Sequence, residues 1–321
     1  MIVVTGAAGF IGSCLISELN RQGHGDIVLA DDFSRPDKMK NLAGKTYADM
    51  LHRDDLFNWL DKHHHQVSII FHFGARTDTA EQRKAVFDRL NLNYSRKIWD
   101  ACASYRIPLI YASSAATYGE GEHGYSDDHA QLEQLKPLNA YGNSKHAFDC
   151  WVLDQPDQPP FWAGLKFFNV FGPNEYHKHR MASAIFHLFR QISENGEVRL
   201  FRSHLPGIPD GEQRRDFIYI MDVLDVCLFL MNERPEPGIY NLGTGHASSY
   251  RELAEVSFRA LDKPPIIRFI DTPETIRDNY QYFTEANMEK LRSTGYDKAF
   301  YSLGEGVNDY FKTYLEKNLY F

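Results

Sequence analysis

Ile2-Val3-Val4-Thr5-Gly6-Ala7-Ala8-Gly9-Phe10-Ile11-Gly12 opens the chain with a β-branched run that turns, through glycines three residues apart, into an amphipathic segment reaching Arg21. A strand, a tight turn and a helix over 10–21 are the predicted units. Glycine at every third position closes the turn, lets a pyrophosphate approach the backbone, and packs helix on strand. The helix N-terminus adds unpaired N–H groups and positive dipole, so Gly6, Gly9, Phe10, Ile11 and Gly12 form a predicted phosphate cradle. A Gly-rich turn alone is common. The strand before it, the helix after it, and Asp31 closing a second strand over 27–30 make this one specific for a dinucleotide, with Asp31 placed to accept from the adenosine ribose.

Working outward, apolar runs at 67–72, 109–112 and 163–168 alternate with helical patterns at 84–105 and 141–153. Near-continuous apolar strands separated by helices predict an α/β fold, a doubly wound parallel sheet covered on both faces, with its ligand at the carboxyl edge. After Gly172 the rhythm breaks. Helices at 181–193, 223–232 and 250–261, extended pieces at 198–201, 216–220 and 239–242, and a Pro/Gly-rich loop at 204–211 read as a smaller C-terminal substrate lobe. The division is 1–172 for the cofactor domain, with later segments (about 214–245) interleaved, and 173–317 mainly for the substrate lobe. Residues 318–321 resemble part of a protease-tag sequence and are set aside.

The chain has 321 residues, 43% apolar and 24% charged, which excludes global disorder and allows one large or two closely packed domains. Asp plus Glu (43) outnumber Lys plus Arg (35), and the net charge of −8 argues against nucleic acid as the main partner. No run of eighteen apolar residues predicts a membrane span, and the first residues do not read as a signal peptide. Cys14, Cys102, Cys150 and Cys227 lie far apart, as reduced cytoplasmic thiols do. His63-His64-His65 are consecutive on a helix end and do not converge on one ion, so no metal is predicted.

Tyr141-Gly142-Asn143-Ser144-Lys145 places a phenol and an ammonium at i and i+4 on one helical face. A free tyrosine, pKa about 10, is a poor base at neutral pH; an adjacent cation and an oxidised nicotinamide favour its phenolate. That spacing is common by chance, and usually marks a solvated face. It gains meaning from Ser113-Ser114 at the end of the fourth apolar run, on the same sheet edge, where the Ser114 hydroxyl can hold a substrate alcohol. Phe73-Gly74-Ala75-Arg76-Thr77 should pass under the cofactor, and the Asn91 amide should bond to the loops beside it. Asp31 favours NAD, whereas Lys38, Arg53 and Arg35, taken together with Asp32, make NADP the better expectation, with NAD left open.

These motifs resemble the extended short-chain dehydrogenase/reductase superfamily, Rossmann-like in fold, whose members act on nucleotide sugars. Tyr111-Ala112-Ser113-Ser114-Ala115-Ala116-Thr117-Tyr118-Gly119, Phe167 to Lys178, Met181-Ala182-Ser183, Arg215-Asp216-Phe217, Asn241 to Gly245 and Tyr280 to Thr284 narrow the resemblance to the ADP-L-glycero-D-manno-heptose 6-epimerases. The resemblance implies epimerisation of ADP-heptose at carbon 6 by transient oxidation, for lipopolysaccharide inner-core heptose supply, with one NADP per subunit retained through turnover. It implies Tyr141 and Lys178 as the two acid/base groups, Lys145 as the residue that lowers the tyrosine pKa, and Val170 and Lys178 beside the cofactor. It further implies a substrate site of Ser114, Asn169, Arg180, His187, Phe201, Arg202, Ser203, His204, Arg215 and Tyr280, and a homo-oligomer, a pentamer. His187 reads equally well as a packed helix residue. Departures are a longer loop at 202–213, His179 and Arg180 in place of smaller residues, and Phe73 where a polar residue is expected. A UDP-hexose 4-epimerase is the nearest rival and lacks need of the Lys178 stretch. A 4,6-dehydratase would need acids where Ala115-Ala116 stand, and a non-catalytic NADP-sensing protein would be expected to have lost Tyr141 or Lys145.

Overall fold

The computed structural model describes residues 1–79, 81, 83–277 and 280–321. Its strands in chain order are β1 (Ile2–Thr5), β2 (Ile27–Asp31), β3 (Asp49–His52), β4 (Ile69–His72), β5 (Leu109–Ser114), β6 (Trp162–Phe167), β7 (Asn169–Phe171), β8 (Val198–Phe201), β9 (Arg214–Tyr219), β10 (Gly238–Leu242), β11 (Ala247–Ser249) and β12 (Ile267–Ile270). Among the described residues, seven of these form one parallel sheet in the order β10-β6-β5-β4-β1-β2-β3. β1, β2, β4, β6 and β10 are buried along their whole length, which is why they read as near-continuous apolar runs. The chain winds outward from β1 to β3, then returns to β4 on the other side of β1. That reversal opens a crevice at the carboxyl ends of β1 and β4. There a Cβ on Gly6, whose φ is +67°, would lie 2.7 Å from the Gly74 backbone, so the two loops meet glycine to glycine.

The first helix runs Phe10–Arg21, as the pattern predicts. The expected helix over 84–105 runs without a break from Lys84 to Ser104, with a π-type segment at Asp88–Asn93 inside it that the sequence reading did not foresee. β3 escaped the sequence reading because it is a mostly exposed edge strand without an apolar run.

Of the segment about 214–245 expected to interleave with the sheet, only β10 joins it. β9 instead lies in a three-stranded sheet, parallel to β7 and antiparallel to β11, and β8 pairs with β12. β9 follows the 204–211 loop, which carries it onto the lobe side. Residues 318–321 are packed rather than free. The backbone of Phe321 exchanges two hydrogen bonds with the Asn174 amide (2.9 and 3.1 Å), and Arg21 lies 4.3 Å over the Phe321 ring.

Candidate active site

The crevice is floored by the glycine turn. Gly9 N–H donates to the Gly6 carbonyl (2.9 Å), and a Cβ on Gly12 would lie 2.4 Å from that same oxygen, so larger residues cannot close this turn. Among the described residues no side chain caps the first helix, and its first turn holds no acid, which suits its N–H groups to an anion. Asp31 ends β2 with both carboxylate oxygens engaged: Oδ2 accepts from Ala8 N–H (3.0 Å), Oδ1 from Asp32 N–H (2.7 Å) and Lys38 Nζ (2.8 Å). The expected ribose acceptor thus also braces the glycine turn, and Lys38 offsets its charge. Arg53 donates its backbone N–H to the Asp31 carbonyl (3.0 Å), and its guanidinium lies 3.5 Å from Asp32, whose carboxyl is held low by Ser34.

On the opposite wall, the 73–77 loop is clamped. Gly74 N–H donates to Thr5 Oγ1, which also bonds His72 Nδ1 (2.7 Å), and His72 Nε2 meets Ser95 Oγ (2.9 Å). Burial drives the His72 pKa down to about 3, so it works as a neutral linker. Asn91, turned inward by the π-type segment, accepts from Arg76 N–H (2.8 Å) and donates to the Arg76 carbonyl (3.0 Å) and Ser144 Oγ (2.9 Å). Its amide is spent on holding the loop, as the sequence suggested. Phe73 packs on Phe71 and Phe167, filling the sheet edge where a polar group was expected; Ala75 and Thr77 follow along the loop. Arg76 reaches Asp78 at 3.2 Å. The Nε atoms of Arg53 and Arg76 are buried without a hydrogen-bond partner among the described residues. Two unmet cationic donors, one on each wall, together with an uncapped helix N-terminus, fit the phosphates of a dinucleotide.

The helix that carries Tyr141 and Lys145 is Ala140–Leu153, started by Asn139, whose Oδ1 accepts from Gly142 N–H (2.8 Å). A Cβ at Gly142 would fall 2.7 Å from the Ala116 carbonyl, so helix and post-β5 turn touch directly and Tyr141 comes to Ser114. Burial and, more weakly, the Asp149 charge raise the Tyr141 pKa, while the neighbouring Ser114 side chain pulls it back. Lys145 donates to the Ala112 carbonyl (2.7 Å), and burial lowers its pKa to about 8. Beneath these residues Asp149 and Lys166 form a fully buried ion pair at 2.7 Å. Both lay outside the sequence reading, although each left a signal: Asp149 continues the Tyr141/Lys145 face at i+4, and Lys166 is a lone charge inside an apolar strand.

Lys178 sits in the 3-10 turn Tyr176–Met181, with its Nζ 5.4 Å from the Phe10 ring, directly over the glycine turn. Burial lowers its pKa, opposed by Glu175. Asn41 binds this loop to the cradle, its Nδ2 lying 3.0 Å from both the Ala8 and Asn174 carbonyls. His179, at φ +48°, turns the chain outward, and Arg180 pairs with Asp78 at 3.3 Å. Arg180, expected among the substrate groups, here bridges to the loop that carries Asp78. His187 Nε2 lies 3.4 Å from the Arg180 carbonyl, a packing contact.

The lobe gathers a second set. Val170 and Asn169 lie on β7, and Asn169 Nδ2 donates to the Asp216 carbonyl (3.1 Å). The Arg215 guanidinium is sandwiched 5.9 Å from the Tyr250 ring and 5.7 Å from the Tyr280 ring. Phe201 packs edge-on to Tyr280 (6.2 Å), and His204 Nδ1 meets the Tyr282 hydroxyl (2.9 Å). Arg202 turns to Asp271 (3.0 Å), and Ser203 N–H donates to Asp210 (2.9 Å), so both brace the 202–213 loop. Gln281 donates to the Gly119 carbonyl, joining this arm to the turn that carries Ser114.

The chain matches the model of the NAD dependent epimerase/dehydratase family over residues 2–243. It is 46% identical to the ADP-L-glycero-D-manno-heptose-6-epimerase of Fusobacterium nucleatum subsp. nucleatum over 99% of this chain and 98% of that one. With the protein of the same name from Nitratidesulfovibrio vulgaris (strain DP4) it shares 44% over 98% of each. The crystal structure of the Helicobacter pylori ADP-L-glycero-D-manno-heptose-6-epimerase superposes with a TM-score of 0.81 at 28% identity, covering 97% of this chain and 95% of that one. The chain belongs to the NAD dependent epimerase/dehydratase family and, within it, to the ADP-L-glycero-D-manno-heptose-6-epimerases.

Proposed function

We propose that the protein interconverts ADP-D-glycero- and ADP-L-glycero-D-manno-heptose, with Tyr141 and Lys178 as acid/base groups and NADP as the retained cofactor. The observation that supports this reading is that the two side chains proposed as acid/base groups sit on separate elements, one beside Ser114 and one beside the glycine turn. Tyr141 lies on the Ala140–Leu153 helix at Ser114, and Lys178 on the post-β7 loop above Phe10.

Carbon 6 bears an unactivated hydrogen, so direct deprotonation is too hard. A bound nicotinamide cofactor supplies reversible hydride acceptance there. Ser114 orients the sugar hydroxyl and one base takes its proton as the alcohol becomes a ketone. Inversion requires the ketone to be reduced on its other face, where its oxygen meets the second group, which returns a proton. One fixed base cannot serve both orientations; two can. Burial works against the charged form of both candidate groups, which moves Lys178 toward the neutral amine and holds Tyr141 as the neutral phenol; a cationic nicotinamide ring nearby would favour its phenolate. The Lys38–Asp31 pair and the unmet Arg53 Nε support a 2′-phosphate over a bare ribose.

Purified protein should convert ADP-D-glycero-D-manno-heptose without added cofactor, and mass spectrometry of the nucleotide released on denaturation should find NADP. Tyr141→Phe and Lys178→Met should each lower kcat by about 10²–10⁴-fold with cofactor still bound. Full activity of Lys178→Met would overturn the two-base scheme, and turnover of UDP-galactose alone would transfer the protein to the 4-epimerases.

A further inference from the structure

Directly under the catalytic residues, four hydrogen bonds converge on one buried ion pair. Asp149 Oδ2 accepts from Ser113 Oγ (2.6 Å) and Lys166 Nζ (2.7 Å), and Asp149 Oδ1 from the Tyr111 hydroxyl (3.2 Å). Lys166 Nζ also donates to Thr117 Oγ1 (2.7 Å), and that hydroxyl donates to the Ser114 carbonyl (2.8 Å). Ser114 is therefore gripped from both sides, through its neighbour Ser113, which ends on Asp149, and through its own carbonyl by way of Thr117, which ends on Lys166, so both grips meet at the ion pair. Both charges are fully buried, an arrangement that costs desolvation and is weak evidence of a stabilising role alone.

We propose that Lys166 is a positioning residue for the epimerisation: its ammonium fixes the Ser114 hydroxyl in register with the Tyr141 phenol and screens that phenol from the Asp149 carboxylate. This rests on the proposed roles of Tyr141 and Ser114. Without Lys166, Asp149 would face the phenol uncompensated and disfavour the phenolate. Other groups facing the pair are few. The Ala140–Leu153 helix contributes Lys145, His146 and Cys150; β5 contributes Tyr111. Tyr118, Asp127 and His129 lie toward the lobe, and His72 faces Lys145 from β4. Lys166 is the cation in hydrogen-bond contact with Asp149.

The test compares Lys166→Met, Lys166→Arg and Asp149→Asn/Lys166→Met with Tyr141→Phe, each checked for a cooperative melt and for NADP affinity. Lys166→Met should lower kcat about 10–100-fold with KM and NADP Kd within about threefold, and move the acidic limb of the kcat–pH profile alkaline by roughly half a unit or more. The arginine variant should recover most of kcat. The double variant, which leaves no lone buried charge and so guards against failure to fold, should return the limb toward its original place while kcat stays low. An unmoved limb and undiminished kcat in both Lys166→Met and the double variant, with Tyr141→Phe inactive, overturns the proposal and leaves the catalytic reading standing. An active Tyr141→Phe overturns that reading instead.

Discussion

Replacing Asn91 by alanine tests how the cofactor wall is held. The side chain is 1% exposed and makes three hydrogen bonds, two to the Arg76 backbone and one to Ser144, whose hydroxyl donates in turn to the Tyr141 carbonyl (2.7 Å). Loss of three such bonds at about 1 kcal/mol each, with two backbone groups left short of partners, gives roughly 2–4 kcal/mol of destabilisation. Urea unfolding of nucleotide-free protein measures this as a lower midpoint with an unchanged slope. The loop it releases is the one expected under the cofactor, so saturating NADP should stabilise the variant less than the parent. A shortfall of about 1.4 kcal/mol corresponds to a tenfold weaker Kd. Asn91→Asp keeps the acceptor for Arg76 N–H and removes both donors, so it should fall between. A loss under about 1 kcal/mol would refute the hydrogen-bond accounting. A full loss with the parent's NADP increment would show that Asn91 supports the fold without shaping the cofactor wall.

Acid stability offers a second check. The folded His72 pKa, lowered to about 3, lies below its ordinary 6.5, so on acidification the unfolded chain takes a proton that the native one refuses, and stability is lost from pH 6.5 downward. Between pH 6.5 and 4.5 this contributes about 2 kcal/mol of loss, which a His72→Gln variant should lack in denaturant titrations at the two pH values. Lys38→Ala removes the cation 2.8 Å from Asp31 and leaves that carboxylate facing any 2′-phosphate. Its NADP Kd should rise about tenfold and its NAD Kd by less than twofold in fluorescence titrations; equal effects on both would remove Lys38 from cofactor selection.

The sheet was legible because both its faces are covered: buried strands such as β1, β2 and β4 have no polar face to disguise them. β3 and β12 are edge or surface strands with exposed positions, and they carry no such run. The cofactor turn was legible for a related reason, since glycines forced by contacts at Gly6 and Gly12 leave a rigid spacing. Side-chain networks leave no spacing at all. Asn41 joins the cradle to the Lys178 loop from 133 residues away, and the Thr5–His72–Ser95 chain links three elements that only the fold brings together. Arg180 likewise meets a carboxylate 102 residues earlier in the chain, a contact its motif does not announce.

The overall charge of −8 becomes informative once these partners are known. A cleft meant for anions would be expected to display bare cations, yet here Lys38 is paired with Asp31, Arg53 with Asp32, and Arg76 with Asp78. Pairing lowers the long-range field, so the walls do not attract every phosphate in solution. What distinguishes a dinucleotide is geometry at short range: Arg53 Nε and Arg76 Nε without a hydrogen-bond partner among the described residues, and the helix end that follows the glycine turn after β1. A ligand that meets all three gains charge-assisted bonds at sites already desolvated, and one that meets a single site does not repay the disturbance of an existing pair. That logic suits the proposed retention of the cofactor through turnover, in which selection at entry matters more than speed of exchange.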